Sequence, residues 1–157
     1  PWPDEGVRTF SKFSEPARAD PDVVLFAVSR WWEALRYAEP SFRSDCDVVL
    51  AAFGGKRSMC SSTQMGHHHA VELVDATLKK DKRFIGALLR VRDWALGIAH
   101  SSLRADKEFV LSLVRRKGGS LMYANAELRR DKDVVLRAGA QKFAALCHAD
   151  DALKADA

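Results

Sequence analysis

Cysteine is scarce in this sequence: Cys46, Cys60 and Cys147 are three among 157 residues, an odd number at irregular spacing. That excludes a disulfide framework and sets an intracellular, reducing compartment as the expectation. Long hydrophobic runs are missing too. The longest is Val48 to Phe53, far short of the roughly 18 residues a membrane-spanning helix needs, so no transmembrane segment is expected. No charged-then-apolar opening resembles a signal peptide. The chain starts Pro1-Trp2-Pro3 without an initiator methionine, which suggests a processed product or part of a longer polypeptide. Motifs of chemistry are absent as well: no glycine-rich phosphate loop, no H-E-x-x-H and no G-x-S-x-G. The expectation is a non-enzyme with no catalytic residue, no cofactor and no metal. What is present fits a folded chain, with 47% hydrophobic and 29% charged residues. A net charge of +4 tilts toward an anionic partner.

Self-similarity organises the chain. Asp20, Asp45, Asp81, Asp106, Asp131 and Asp156 lie 25, 36, 25, 25 and 25 residues apart. The long interval is one period with 11 extra residues. Ten residues before each closing aspartate stands Leu35, Val71, Leu96, Leu121 or Leu146. Seven before it stands Ala38, Val74, Ala99, Ala124 or Ala149, and three before it Phe42, Leu78, Leu103, Leu128 or Leu153. Five copies, starting at residues 20, 45, 81, 106 and 131, therefore fill 20–157 as one domain. A half copy occupies 8–19, with Phe10, Phe13 and Ala17 in register, and 1–7 is a tail. Neither end carries a sealed cap, which suggests flanking sequence or a partner covering the ends.

Each copy is expected to form two helices of about ten residues, too short to be stable alone. The aspartate is the N-cap candidate. Pro21 falls at the first helical position, and Asp22, Asp47, Glu108 and Asp133 suit the first turn. Val23, Val24, Ala27 and Val28 make one apolar face. Gly118-Gly119 marks the break after the first helix of the fourth copy. The second helix presents Leu121, Ala124 and Leu128 on one face. Such hairpins must bury their stripes against neighbouring copies, so the expected fold is all-α: an α-solenoid of short helix-turn-helix repeats of 25 residues.

The segments "DPDVVLFAV" with "ALRYAEPSFRSD", and "DKEFVLSLV" with "SLMYANAELRRD", resemble the repeats of domain of unknown function 4116, over residues 8 to 156. These are helical-hairpin repeats of largely protist proteins. The resemblance implies a fold and no chemistry. The sequence departs from the pattern at the insertion, at Trp31-Trp32 in place of a polar loop, and at Gly139 in place of an apolar residue.

The stretch "GGKRSMCSSTQMGHHHA", which contains the 11 extra residues, falls between the two helices of the second copy. Cys60 with His67, His68 and His69 carries ligand atoms, but three consecutive histidines cannot all face one ion on a helix. The reading is a surface loop, with Met59, Cys60, Met65, His67, His68 and His69 as a candidate partner-binding set. At Cys46 a helix N-terminus would favour the thiolate, but the adjacent carboxylates Asp45 and Asp47 oppose it, and no Cys-His-acid arrangement is evident. His100 and His148 read as helix-surface or last-turn residues.

The inter-helix turns hold Arg30, Trp31, Trp32, Lys56, Arg57, Arg90, Arg92, Trp94, Arg115, Arg116, Lys117, Lys142 and Phe143. These cations and aromatics form a candidate partner-binding edge for an acidic protein surface, anionic lipid headgroups or nucleic acid. The competing reading is structural: cations complement helix C-termini while aromatics plug the hairpins. The expected function is protein–protein interaction, as a peripheral accessory or structural subunit of a larger assembly. A photosynthetic or respiratory membrane complex, in plastid or mitochondrion after processing, is the suggested setting. The alternative is a nucleic-acid-binding solenoid using the same edge.

Overall fold

The computed structural model describes residues 4–54, 72–151 and 153. Among them every regular element is helical. Contacts within the chain gather into two compact units, Pro1–Leu78 and Lys79–Ala157.

Both units are built from the same local events. A long helix starts at Pro21, Cys46, Lys82, Lys107 and Lys132. Just before each stands the expected aspartate, and its carboxylate accepts first-turn N–H groups. Asp20 takes those of Asp22 and Val23. Asp45 takes those of Asp47 and Val48, Asp81 those of Arg83 and Phe84. Asp106 takes that of Phe109, and Asp131 those of Asp133 and Val134. Each cap is worth about 1 kcal/mol. The face behind it is the core: Val24, Ala27 and Val28 in the Pro21–Arg30 helix, and Phe84, Ile85, Leu88 and Leu89 in Lys82–Val91. Burial of each larger side chain stabilises by about 1.5–3 kcal/mol.

The second half of each copy is not the continuous helix the apolar spacing predicts. It breaks in two. In the fourth copy a tight 3₁₀ segment, Gly118–Tyr123, is followed by Ala126–Arg130. In the third, Ala95–Ile98 is followed by Ser101–Arg104. The break falls at the buried residue seven before the closing aspartate, Val74 in the second copy and alanine in the others. Ala99, Ala124 and Ala149 all take extended backbone, with ψ of 147°, 158° and 151°.

The reason is a tertiary hydrogen bond. The residue after each break donates its N–H to the carbonyl two residues before the opening aspartate, not to its own helix. In Pro1–Leu78, Glu39 donates to Arg18 and Asp75 to Arg43, at 3.3 and 3.1 Å. In Lys79–Ala157, His100 donates to Lys79, Asn125 to Arg104 and Asp150 to Arg129, at 2.8, 2.9 and 3.0 Å. A helix running through would leave those carbonyls at the preceding helix ends without this donor. His100 is accordingly no helix-surface histidine. It caps Ser101–Arg104, with Nδ1 accepting from the Ser102 N–H at 3.3 Å.

Three further expectations change. The Asp4–Ser11 helix begins inside the segment read as a tail. Its Phe10 is buried, and a Cβ on Gly6 would collide with the Trp31 ring. Gly118-Gly119 is no helix break, since the preceding helix ends at Val114 and the glycines open the 3₁₀ segment. Neither has positive φ. Gly118 is small because it lies against the Ala138 carbonyl, with its N–H on Gln141 Oε1 at 2.7 Å. Gly139, the departure from an apolar pattern, makes room for the Leu146 side chain.

Candidate interaction edge

The candidate edge lies on the segments that leave each long helix. In Pro1–Leu78, Arg30 is exposed and its guanidinium stands 4.8 Å from the Phe26 ring centre, a cation–π contact on its own helix. Trp31 is half-buried over Gly6. Trp32 is 7% exposed and packs on Phe53 at 5.9 Å between ring centres. Both tryptophans here serve packing. Lys56 and Arg57 lie outside the described residues, as do Met59, Cys60, Met65, His67, His68 and His69 of the insertion.

In Lys79–Ala157, Arg90, Arg115, Arg116 and Lys142 are exposed, and Arg92 and Lys117 are half-buried. Lys117 Nζ meets Asp93 Oδ1 at 2.6 Å, an exposed pair of small energetic weight. Trp94 is 4% exposed, so it too belongs to the core. Phe143 is the opposite, at 82% exposed. The outward-facing part of the edge in this unit is therefore cationic with one aromatic.

Two cross-helix ion pairs give the unit its main electrostatic pattern. Lys82 Nζ meets Asp106 Oδ2, and Lys107 Nζ meets Asp131 Oδ2, each at 2.5 Å. The Lys82 hydrogen bond, helped by the Phe109 N–H, holds the Asp106 carboxyl below the ordinary carboxylate value. Lys107 does the same for Asp131 and is itself raised by that hydrogen bond. Burial against its surroundings pushes the Tyr123 phenol up.

Sequence reasoning overlooked a second series of cations. Arg18, Arg43, Lys79, Arg104 and Arg129 each stand two residues before an aspartate, and each is half-buried. Their carbonyls accept the bonds described above. Arg43 also turns its guanidinium onto the carbonyls of Leu35 and Arg36, at 3.4 and 2.8 Å, satisfying the end of the Trp32–Arg36 segment. The regular spacing of these residues was the available signal.

An open groove of about 490 Å³ is lined by Glu15, Pro16, Arg18, Ala19, Tyr37, Ala38, Glu39 and Pro40. Its charges are of both signs, which suits no single ionic ligand. Among the described residues no group of three His, Cys, Asp or Glu side chains gathers as metal ligands. Cys46 is half-buried, and Cys147 is exposed with its thiol donating to the Ala144 carbonyl.

The family comparison agrees with the likeness seen in the residues. Residues 106–154 match the family model of a domain of unknown function, DUF4116. The matched span is the fourth copy and most of the fifth. No curated protein matches the chain, and no solved structure matches it.

Proposed function

We propose that the chain is a non-enzymatic α-solenoid of 25-residue helical repeats, acting in protein–protein interaction as a peripheral accessory or structural subunit of a larger assembly. The observation that carries the repeat reading is the recurring tertiary hydrogen bond. Five N–H groups at one register position meet five carbonyls at another, at 2.8–3.3 Å. Arrays of this kind present extended surfaces made of side chains that packing does not use. Here those are Arg90, Arg115, Arg116, Lys142 and Phe143, an arrangement suited to an acidic protein surface or anionic headgroups. No helix among the described residues is long and apolar enough to cross a membrane, which fits a peripheral position.

Native co-purification tests the subunit reading. The protein is expected to come down with stable partners, and Arg115→Glu with Arg116→Glu is expected to release them. Isolation as a lone monomer from its native source would end it. The nucleic-acid alternative draws less support, because Trp32 and Trp94, two of the expected stacking surfaces, are buried. Fluorescence anisotropy with single-stranded RNA at low salt decides it: phosphate tracking requires binding that weakens steeply as salt rises.

A further inference from the structure

The groove that holds Glu15, Arg18, Ala19, Tyr37 and Glu39 stands on a frame found in both units. In Pro1–Leu78 the Glu39 N–H meets the Arg18 carbonyl, and in Lys79–Ala157 the Asp150 N–H meets the Arg129 carbonyl. Each frame brings the residue just before one repeat aspartate close to the residue six before the next. In Lys79–Ala157 these are Arg130 and Asp150, which pair at 3.2 Å. In Pro1–Leu78 they are Ala19 and Glu39. A methyl thus replaces the arginine, and both residues line an open groove of about 490 Å³.

The other copies leave no carboxylate in this condition. Asp75 corresponds to Glu39, with Ser44 in place of Ala19, but it accepts from the Thr77 N–H and hydroxyl. The remaining pairs, Lys80 with His100 and Ala105 with Asn125, hold no carboxylate. Glu39 itself precedes Pro40–Arg43, yet its side chain accepts none of that segment's N–H groups. Neither Glu39 nor Glu15 pairs with a cation among the described residues. Arg18 stays apart from both, its Nε buried without a hydrogen-bond partner. Arg129, its counterpart, has Nε in the same condition beside the Arg130–Asp150 pair, so an arginine at that position does not bar a second guanidinium.

We propose that this groove receives an arginine side chain from a basic segment of a partner protein. The guanidinium takes the place that Arg130 fills in the other frame, paired with Glu39 and flanked by Glu15. Tyr37, 38% exposed, offers its ring to the guanidinium plane. Pro16, Ala38 and Pro40 give the aliphatic stem apolar walls. Arg18 weighs against a compact metal ion here, whereas a planar, weakly hydrated guanidinium on an apolar stem suits walls of this mixture. The site differs in charge and in unit from the cationic edge, and it stands without the subunit reading.

The test titrates the full ¹⁵N-labelled chain with a capped Ser-Ser-Arg-Ser-Ser peptide and reads amide shifts by NMR. Saturable shifts are expected at Ala19, Tyr37 and Glu39. Citrulline in place of the arginine keeps the shape without the charge and should weaken binding by about fivefold or more, as should Glu39→Gln. Ala19→Arg supplies the guanidinium within the chain and should close the groove to the peptide. Ala19 and Glu39 are both exposed, so the fold tolerates either change. No shift at those amides, an equal response to the citrulline peptide, or undiminished binding by the Ala19→Arg chain overturns the proposal. So does a Ser-Ser-Asp-Ser-Ser peptide that binds where the arginine peptide does not, since Arg18 would then be the anchor.

Discussion

Ser120 offers the sharpest test of the packing. It is fully buried at 0% exposure, and its hydroxyl has no hydrogen-bond partner among the described residues. It stands fourteen residues after Asp106. The same position after Asp20, Asp81 and Asp131 holds Ala34, Ala95 and Ala145, each at 0–1% exposure. Three copies thus place a methyl where the fourth places a hydroxyl. A buried hydroxyl left unsatisfied costs about 1–3 kcal/mol. Serine also has a lower helix propensity than alanine, by a few tenths of a kcal/mol. Removing one oxygen leaves a void smaller than a methyl group, so little is lost in packing. Ser120→Ala is therefore expected to stabilise the fold by about 1–2 kcal/mol, most of it from the relieved hydroxyl. The reciprocal change, Ala95→Ser, is expected to destabilise by a similar amount. Urea unfolding followed by circular dichroism reads both, with the slope m checked for constancy. A neutral or destabilising Ser120→Ala would refute the reasoning, since it would mean that the hydroxyl is satisfied in solution.

Equivalent positions should diverge where neighbours do: Trp32→Ala should cost about 3–5 kcal/mol by emptying a packed site, and Phe143→Ala under about 0.5 kcal/mol, read by the same unfolding. Adjacent glycines should diverge too. Gly118→Ala drives a Cβ into the Ala138 carbonyl and should cost about 1–3 kcal/mol. Gly119→Ala meets nothing within 4 Å and should stabilise by about 0.4–1 kcal/mol; similar outcomes at both positions would contradict the packing. Acid should weaken the fold through Asp106 and Asp131, whose folded-state carboxyls are held below their ordinary value. A depressed carboxylate contributes fully above its unfolded value and loses that contribution as pH falls through the folded one, so the loss belongs below about pH 4. Asp131→Asn keeps an N-cap but removes the charge, and should flatten this limb in pH-dependent thermal melts. Arg43→Met removes the donors to the Leu35 and Arg36 carbonyls and should cost about 1 kcal/mol in urea unfolding, whereas exposed Arg90→Met should be neutral within about 0.5 kcal/mol.

The sequence alone determined the helical class, the five capping aspartates and the apolar faces of the long helices. Those features depend on neighbours three or four residues away, and a spacing of residues expresses them directly. The break in each second helix was not legible in the same way. Ala99 and Ala124 sit there, and alanine is the best helix former. Local preference points to continuity; the backbone turns aside because the next N–H is claimed by a carbonyl more than twenty residues earlier.

The site divides along the same line. That cations and aromatics recur at the turns is a fact of sequence. Which of them face outward was decided by tertiary packing, which covers Trp32 with Phe53 and leaves Phe143 bare. The position twelve after the cap holds Trp32, Asp93, Gly118 and Phe143 in the first, third, fourth and fifth copies, buried at the tryptophan and the glycine and exposed at the other two. Trp32 is buried on Phe53 and Gly118 lies against the Ala138 carbonyl, contacts between elements far apart in the chain. No local pattern carries them.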